Sequence, residues 1–302
     1  AKSLYLNDSD LEVDLKNNVF AIDATVIDVC LSAFSWAKFR STKGGVKVHV
    51  QLDLKTAIPE FMQITTASIH EVNILDNISF QPDSFYVLDR GYTAFDKMYT
   101  IHKSKAFFII RAKDNLNFSR ISSVPIKKQS GVLCDQTIRL NGYYAQKDFP
   151  VRMRRVKFYD AENDRVLIFL TNSFELKATE IAQLYKHRWK IELFFKWIKQ
   201  HLRIKSFFGT SENAVKTQIW IAVSVYVLIA IIKKQLRLDA SLHTLLQILS
   251  VTLFEKLELA ELLDQHVTQA GACFLAGHAE LHVHAARARA VRDLDRARAR
   301  AR

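Results

Sequence analysis

Two aspartates occupy positions in this sequence where a carboxylate is costly unless something binds it. Asp23 interrupts the apolar run VFAIDATVIDVC, and an unpaired carboxylate in a buried strand is unfavourable. Asp89 follows the apolar run FYVL and precedes Arg90 and Gly91. This is the carboxyl end of a predicted strand, where open α/β sheets place their ligand sites. Taken one at a time, each aspartate is also explained by structural hydrogen bonds or by a nearby cation.

A third carboxylate lies on a predicted helix together with cations and a phenol. At 100° per residue, a sector of about 80° holds five polar side chains, namely Tyr185, Arg188, Glu192, Lys196 and Lys199. The opposite side carries the apolar residues that a core needs, namely Ile191, Phe194, Trp197 and Ile198. The alternative is a solvated face with an ion pair between Glu192 and Lys196, which contributes only a few tenths of a kcal/mol.

Considered together, the three carboxylates suit a two-metal phosphoryl-transfer site. Mg²⁺ and Mn²⁺ prefer oxygen ligands and leave coordination positions for water and phosphate. The cations beside Glu192 would then face phosphates. This combination accounts for both the acidic residues and the basic surplus of the chain.

The composition is that of a globular protein with a polyanionic partner. The 302 residues are 49% hydrophobic and 25% charged, and the formal net charge is +12. Such an excess indicates nucleic acid or an anionic membrane surface. Residues 285–302 contribute seven arginines and two aspartates, so the body of the chain is moderately basic.

The cysteines and the apolar runs bear on the compartment. Cys30, Cys134 and Cys273 are widely separated and form no CxxC pair, which argues against disulfides or structural zinc and favours a reduced, cytoplasmic setting. No signal peptide is evident at the N-terminus, and the missing initiator Met indicates a fragment. The longest apolar run has 14 residues, 219–232. A span requires about 20, so we expect a buried core helix there.

The hydrophobic patterning predicts a mixed sheet of the α/β class. Residues 19–30, 47–55 and 58–65 have strand character and follow one another through short connections, so three antiparallel strands open the domain. The capping-box pattern Ser68 to Glu71 predicts a helix over 68–79. Two further strands, 84–88 and 106–111, flank a helical segment within 92–104.

Changes of texture along the chain suggest five regions. Residues 1–18 form the N-terminal segment of a truncated chain, and 19–111 the first part of the catalytic core. Residues 112–176 read as an inserted β-rich subdomain with a turn at Asn141-Gly142. Residues 177–266 contain the catalytic helix and further C-terminal helices. Residues 267–302 form an atypical Ala/Arg-rich tail.

The spacing Tyr185-x2-Arg188-x3-Glu192-x6-Lys199 resembles the Y-R-E-K signature of bacterial DDE transposases of the insertion sequence 4 family. Asp23 and Asp89 stand where the first and second catalytic aspartates of that family would be. Asp28 competes with Asp23, but five residues apart on a strand they face opposite sides. The resemblance covers residues 17–263 and implies a ribonuclease H-like core with a β-rich insertion and C-terminal helices.

The resemblance also implies an activity and roles for residues. The expected enzyme cleaves DNA at insertion-sequence ends and transfers the freed strand into target DNA, with two Mg²⁺ or Mn²⁺ ions held by Asp23, Asp89 and Glu192. The expected partners are double-stranded DNA and a second copy of the chain, in the bacterial cytoplasm. Residues expected to contact DNA are Tyr185, Arg188, Lys199, Lys196, Lys43 and Lys47.

Two other functions remain open from the sequence. One is a catalytically silent DNA-binding remnant of a transposase, and the other is a two-metal nuclease on the same fold that cuts DNA without joining it.

Overall fold

The computed structural model describes residues 1–5, 11, 13, 15–126, 130–202, 204 and 206–252. These residues divide between two compact units, one up to residue 225 and the other from residue 226 onward. The predicted boundaries after residues 111 and 176 both lie inside the first unit. The predicted tail, 267–302, lies outside the described residues.

A nine-stranded sheet forms the centre of the first unit. Its strands are β1 Val19–Val29, β2 Gly44–Asp53, β3 Pro59–Thr66, β4 Phe85–Leu88, β5 Phe107–Arg111, β6 Phe118–Ser123, β7 Val132–Leu140, β8 Met153–Asp160 and β9 Arg165–Thr171. Their order across the sheet is β3-β2-β1-β4-β5-β9-β8-β7-β6. The first five strands lie where patterns of β-branched and apolar residues predict strands.

The sheet is mixed, as predicted. Strands β1, β2 and β3 pair antiparallel, whereas β4 runs parallel to β1 and β5 runs parallel to β4. Three antiparallel strands followed by two parallel ones is the arrangement of a ribonuclease H-like core. Parallel strands are usually covered on both faces, and β4 is buried along its whole length. The predicted α/β class is therefore confirmed.

Residues 112–176 extend this sheet instead of forming a separate one. Strand β9 pairs antiparallel with β5, with Ile109 opposite Thr171, and β8, β7 and β6 follow outward. The structure also differs from the prediction of a turn between strands at Asn141-Gly142. A short helix, α3 Tyr143–Asp148, follows Gly142, whose φ of 88° few other residues adopt.

The helices are α1 Lys2–Tyr5, α2 Phe95–Lys103, α3, α4 Ala178–His187, α5 Trp189–His201, α6 Glu212–Gln235 and α7 Leu242–Thr252. Three 3₁₀ helices cover Ser35–Ala37, Glu71–Asn77 and Arg90–Tyr92. Helix α6 is the only described helix long and apolar enough to cross a membrane. Core helices of soluble proteins pass the same test, and Val215, Ile219 and Val223 of α6 are buried.

The α-helix predicted over 68–79 is wrong, because the structure has a 3₁₀ helix there that begins at Glu71. A capping box needs the Glu71 carboxylate to return to the backbone of Ser68. Instead Glu71 lies 3.6 Å from the Lys47 ammonium, and the Ser68 hydroxyl hydrogen-bonds with that of Thr66 at 2.7 Å. The two side chains of the motif are thus engaged elsewhere.

Candidate active site

The pairing of β1 with β4 brings Asp23 and Asp89 close together at the carboxyl end of β4. In this parallel pair Ile22 lies opposite Leu88, so Asp23 follows within β1 and Asp89 follows directly after the end of β4. Ile22 and Leu88 are buried in the apolar core. Since side chains alternate along a strand, Asp23 faces away from that core. Helix α5 packs against β1, and α4 packs against β4 and β5.

An interruption between α4 and α5 places a cation over these carboxylates. The predicted single helix is two helices, with Arg188 as the residue between them. Arg188 Nη1 donates to Asp23 Oδ2 at 2.9 Å, and Nη2 donates to Glu192 Oε1 at 2.5 Å. The guanidinium therefore bridges two of the three predicted catalytic carboxylates.

Tyr185, the phenol of the Y-R-E-K spacing, binds the remaining predicted catalytic carboxylate, Asp89. Tyr185 donates its hydroxyl to Asp89 Oδ1 at 3.0 Å. Its ring packs on Phe169, with 4.8 Å between centroids, and the Arg188 guanidinium lies 5.7 Å from the ring centroid. Burial, together with the negative charge of Asp89, raises the pKa of the Tyr185 hydroxyl. Tyr185 thus stays a hydrogen-bond donor at neutral pH.

Asp23 carries the clearest electrostatic signal of the cluster. Burial raises the pKa of its carboxyl to about 6, although a hydrogen bond from the Ala24 amide and the charge of Arg188 act in the opposite direction. The competing residue, Asp28, is exposed on the same strand. Perturbed carboxyl groups of this kind concentrate at functional sites. The structure thus places Asp23, and not Asp28, beside Asp89.

The remaining predicted DNA contacts fall into two groups. Lys196 on α5 and Lys43 before β2 are exposed. Lys199 donates from Nζ to the Val26 carbonyl at 2.8 Å, which ties α5 to β1 beside Asp23. Lys199 therefore supports the geometry of the cluster in this structure.

Lys47 corrects one expectation, because the structure does not present it at the surface. Its side chain is 8% exposed and lies 3.6 Å from Glu71, and Nζ donates to the Ile69 carbonyl at 2.8 Å. Polar and apolar residues alternate along β2, a pattern typical of a strand with one solvated face. All ten residues of β2 are buried, so both faces are covered.

Glu71 is a fourth carboxylate that the sequence did not assign to the site. Its Oε2 lies 3.6 Å from the position that a β-carbon on Gly91 would take. Its negative charge acts on both Asp23 and Tyr92. The only local pattern that involved Glu71 was the capping box, and that pattern predicted the wrong contact.

The donor set suits a hard divalent cation, because Asp23, Asp89 and Glu192 offer carboxylate oxygens alone. As they stand, no three described His, Cys, Asp or Glu side chains lie close enough together to hold an ion. The Arg188 guanidinium occupies the position between Asp23 and Glu192.

A family model and related sequences match this chain. The model described as "Transposase DDE domain" matches residues 14–228. The chain belongs to the DDE transposase domain family. This family uses divalent metal ions, in agreement with the oxygen donors of Asp23, Asp89 and Glu192.

Curated relatives carry transposase names. The chain is 34% identical over 229 residues to "Putative transposase y4zB" of Sinorhizobium fredii, covering 74% of this chain and 64% of that protein. It is 32% identical over 214 residues to "Probable transposase for insertion sequence element IS5377" of Geobacillus stearothermophilus, covering 69% of this chain and 55% of that protein. The chain therefore spans somewhat more than half of the length of these two relatives.

A solved structure of a transposase also aligns with the chain. The piggyBac transposase in a synaptic complex with hairpin DNA aligns with a TM-score of 0.47 and 9% identity, covering 83% of this chain and 53% of that one.

Proposed function

We propose that this chain is the catalytic domain of a bacterial insertion-sequence DNA transposase. It would cleave DNA at the ends of the element and transfer the freed strand into target DNA. The observation that carries the proposal is that Arg188 bridges Asp23 and Glu192 while Tyr185, on the preceding helix, donates to Asp89. The strand pairing of β1 with β4 and the helix interruption at Arg188 produce it.

Three carboxylates would hold the metal ions, and we propose two Mg²⁺ or Mn²⁺ ions. Asp23 and Asp89 would contribute from neighbouring strand positions, and Glu192 from the first turn of α5. When bound, such ions activate a water molecule and stabilise charge on the reacting phosphate. Metal binding requires the ionised Asp23 carboxylate, so it releases the proton that Asp23 retains below a pH of about 6.

Arg188 would move from the carboxylates of Asp23 and Glu192 to a DNA phosphate when the metal ions bind. With its guanidinium on Asp23 and Glu192, it offsets the mutual repulsion of the acidic cluster. Once metal charge replaces it there, the side chain is free to bind a DNA phosphate, which guanidinium groups hold in bidentate fashion. Tyr185 would keep Asp89 oriented throughout, because its hydroxyl already donates to that carboxylate.

The exposed cations Lys196 and Lys43 would contact the phosphate backbone outside the acidic cluster. Double-stranded DNA, as element ends and as target, is the proposed substrate. Joining two ends requires a second copy of the chain, so we propose a homodimer on DNA. The proposed location is the bacterial cytoplasm, and the Y-R-E-K spacing favours the insertion sequence 4 group.

A strand-transfer assay with pre-cut element ends tests this function. The ends would come from the DNA that flanks the coding sequence, and the reaction would contain Mg²⁺ or Mn²⁺. We expect the chain to join these ends to a plasmid, and Glu192→Gln, prepared in parallel, to bind the DNA without joining it. Cutting without joining would support a nuclease. DNA binding with neither reaction would support a silent remnant, and either result would contradict the proposal.

A further inference from the structure

A second phenol lies at the acidic cluster, and its hydroxyl has no partner. Tyr92 is fully buried, and its hydroxyl makes no hydrogen bond with any described residue. Buried polar groups in folded proteins are almost always hydrogen-bonded, so an unsatisfied one calls for a specific reason. Tyr185, by contrast, has its hydroxyl on Asp89.

The position of Tyr92 is fixed by the same turn that carries Asp89. Its backbone N–H donates to the Asp89 carbonyl at 3.0 Å, which closes the 3₁₀ turn Arg90–Tyr92. Its ring belongs to the apolar core together with Leu88 and Met98. The ring is therefore held rigidly, and the hydroxyl cannot swing out to solvent.

The charges of three carboxylates act on this hydroxyl. Burial raises the pKa of Tyr92 strongly, and the charges of Asp23, Glu71 and Asp89 raise it further, whereas that of Arg188 lowers it. The group is thus a permanent donor beside carboxylates. A donor with no acceptor is costly, but it becomes useful when a water molecule arrives between it and the acids.

We propose that Tyr92 is a positioning residue of the divalent-cation site, whose hydroxyl donates to a water molecule held by the metal and Asp23. The inference rests on the metal site of the proposed function. Donors of this kind orient the ligands of a metal and typically change its affinity 10- to 100-fold. The hydroxyl would therefore be unsatisfied in the metal-free protein and satisfied in the loaded one.

The test compares Tyr92→Phe with Tyr86→Phe in the full chain. Tyr86 is fully buried on the adjacent strand β4, and its hydroxyl accepts a hydrogen bond from the Gln81 amide at 2.8 Å. Binding of Mn²⁺ is measured by calorimetry and by paramagnetic resonance, and the unfolding temperature is measured without metal. A single-turnover cleavage rate at saturating Mn²⁺ completes the comparison.

We expect Tyr92→Phe to weaken Mn²⁺ binding about tenfold and to leave the metal-free unfolding temperature unchanged or higher. Tyr86→Phe should show the reverse, a lower unfolding temperature with unchanged Mn²⁺ affinity. Tyr92→Phe that binds Mn²⁺ and cleaves like the unmodified chain would overturn the inference alone. A Tyr92→Phe chain that does not fold would also overturn it, since the hydroxyl would then support the fold. No Mn²⁺ binding by the unmodified chain would overturn the proposed function as well.

Discussion

Two arginines of this domain hold carboxylates in different ways. Arg154 on β8 donates Nε and Nη2 to the two oxygens of Asp135, at 2.8 and 2.7 Å, and Nη1 to the carbonyls of Ser173 and Leu176. Arg188 gives one hydrogen bond to each of two different carboxylates, and its Nε has no partner among the described residues.

This difference separates a structural ion pair from an exchangeable one. The forked contact of Arg154 with one carboxylate, completed by backbone carbonyls, leaves little to gain from rearrangement. Arg188 donates only one hydrogen bond to Asp23 and one to Glu192, in a cluster that also contains Asp89. On the proposed function, the incompletely bonded Arg188 is the one that the metal ions would displace.

The largest expected effect on stability is at the structural pair. Arg154→Met leaves the Asp135 carboxylate, 9% exposed, without its cation, and should lower the free energy of unfolding by about 3–5 kcal/mol. Arg188→Met should cost only about 1–2 kcal/mol, and Mn²⁺ should restore that loss, because the metal replaces the missing charge. Urea unfolding with and without Mn²⁺ measures both. Equal losses of unfolding free energy in the two variants, or restoration of Arg154→Met by Mn²⁺, would contradict the distinction between a structural and an exchangeable arginine.

A second prediction uses the pH dependence of the exchangeable site. The Asp23 pKa of about 6 in the fold lies above its ordinary value of 3.8, so this group stabilises the fold most below pH 4. That stabilisation is lost as pH rises through 6. Relative to Asp23→Asn, the unmodified chain should therefore lose about 2–3 kcal/mol between pH 4 and pH 7.

The measurement is urea unfolding of both chains at several pH values between 4 and 7. Because every other titrating group is shared, the difference between the two curves isolates Asp23. A difference that does not change with pH would show that the Asp23 carboxyl is not perturbed by burial.

The strands of the core could be predicted from the sequence, whereas side-chain partners at the site could not. Runs such as VFAIDATVIDV mark β1 through local composition alone. The burial of Lys47 depends on what covers the polar face of β2, and the Asp89–Tyr185 contact joins residues 96 positions apart. Such partners are set by tertiary packing, which leaves no mark on local periodicity.

The carboxylate and cation types at the site were predictable because the spacing of Tyr185, Arg188 and Glu192 is local to one helical segment. The interruption at Arg188 was not predictable, since no Gly or Pro marks it. Glu71 and Tyr92 were missed for a related reason. Both lie in 3₁₀ helices, whose short runs carry no usable hydrophobic period.

The smallest expected effects concern the lysines outside the cluster. Lys196→Gln removes an exposed cation and should weaken DNA binding a few-fold. The slope of log affinity against log salt is negative, and its magnitude should fall by about 1. Lys47→Met should leave that slope unchanged, because the Lys47 ammonium is buried against Glu71 and the Ile69 carbonyl. Fluorescence anisotropy at several salt concentrations makes the comparison. A slope of smaller magnitude for Lys47→Met than for the unmodified chain would show that Lys47 contacts DNA.

The measurement that tests the central claim most directly is metal-dependent nicking of supercoiled plasmid by three chains purified identically. These are the unmodified protein, Asp23→Asn and Asp28→Asn, which change carboxylates five residues apart on opposite faces of β1. We expect nicking with Mg²⁺ or Mn²⁺ by the unmodified chain and by Asp28→Asn, and a loss of roughly a thousandfold or more for Asp23→Asn. Equal nicking by Asp23→Asn, or its loss in Asp28→Asn alone, would contradict a metal site built on Asp23, Asp89 and Glu192.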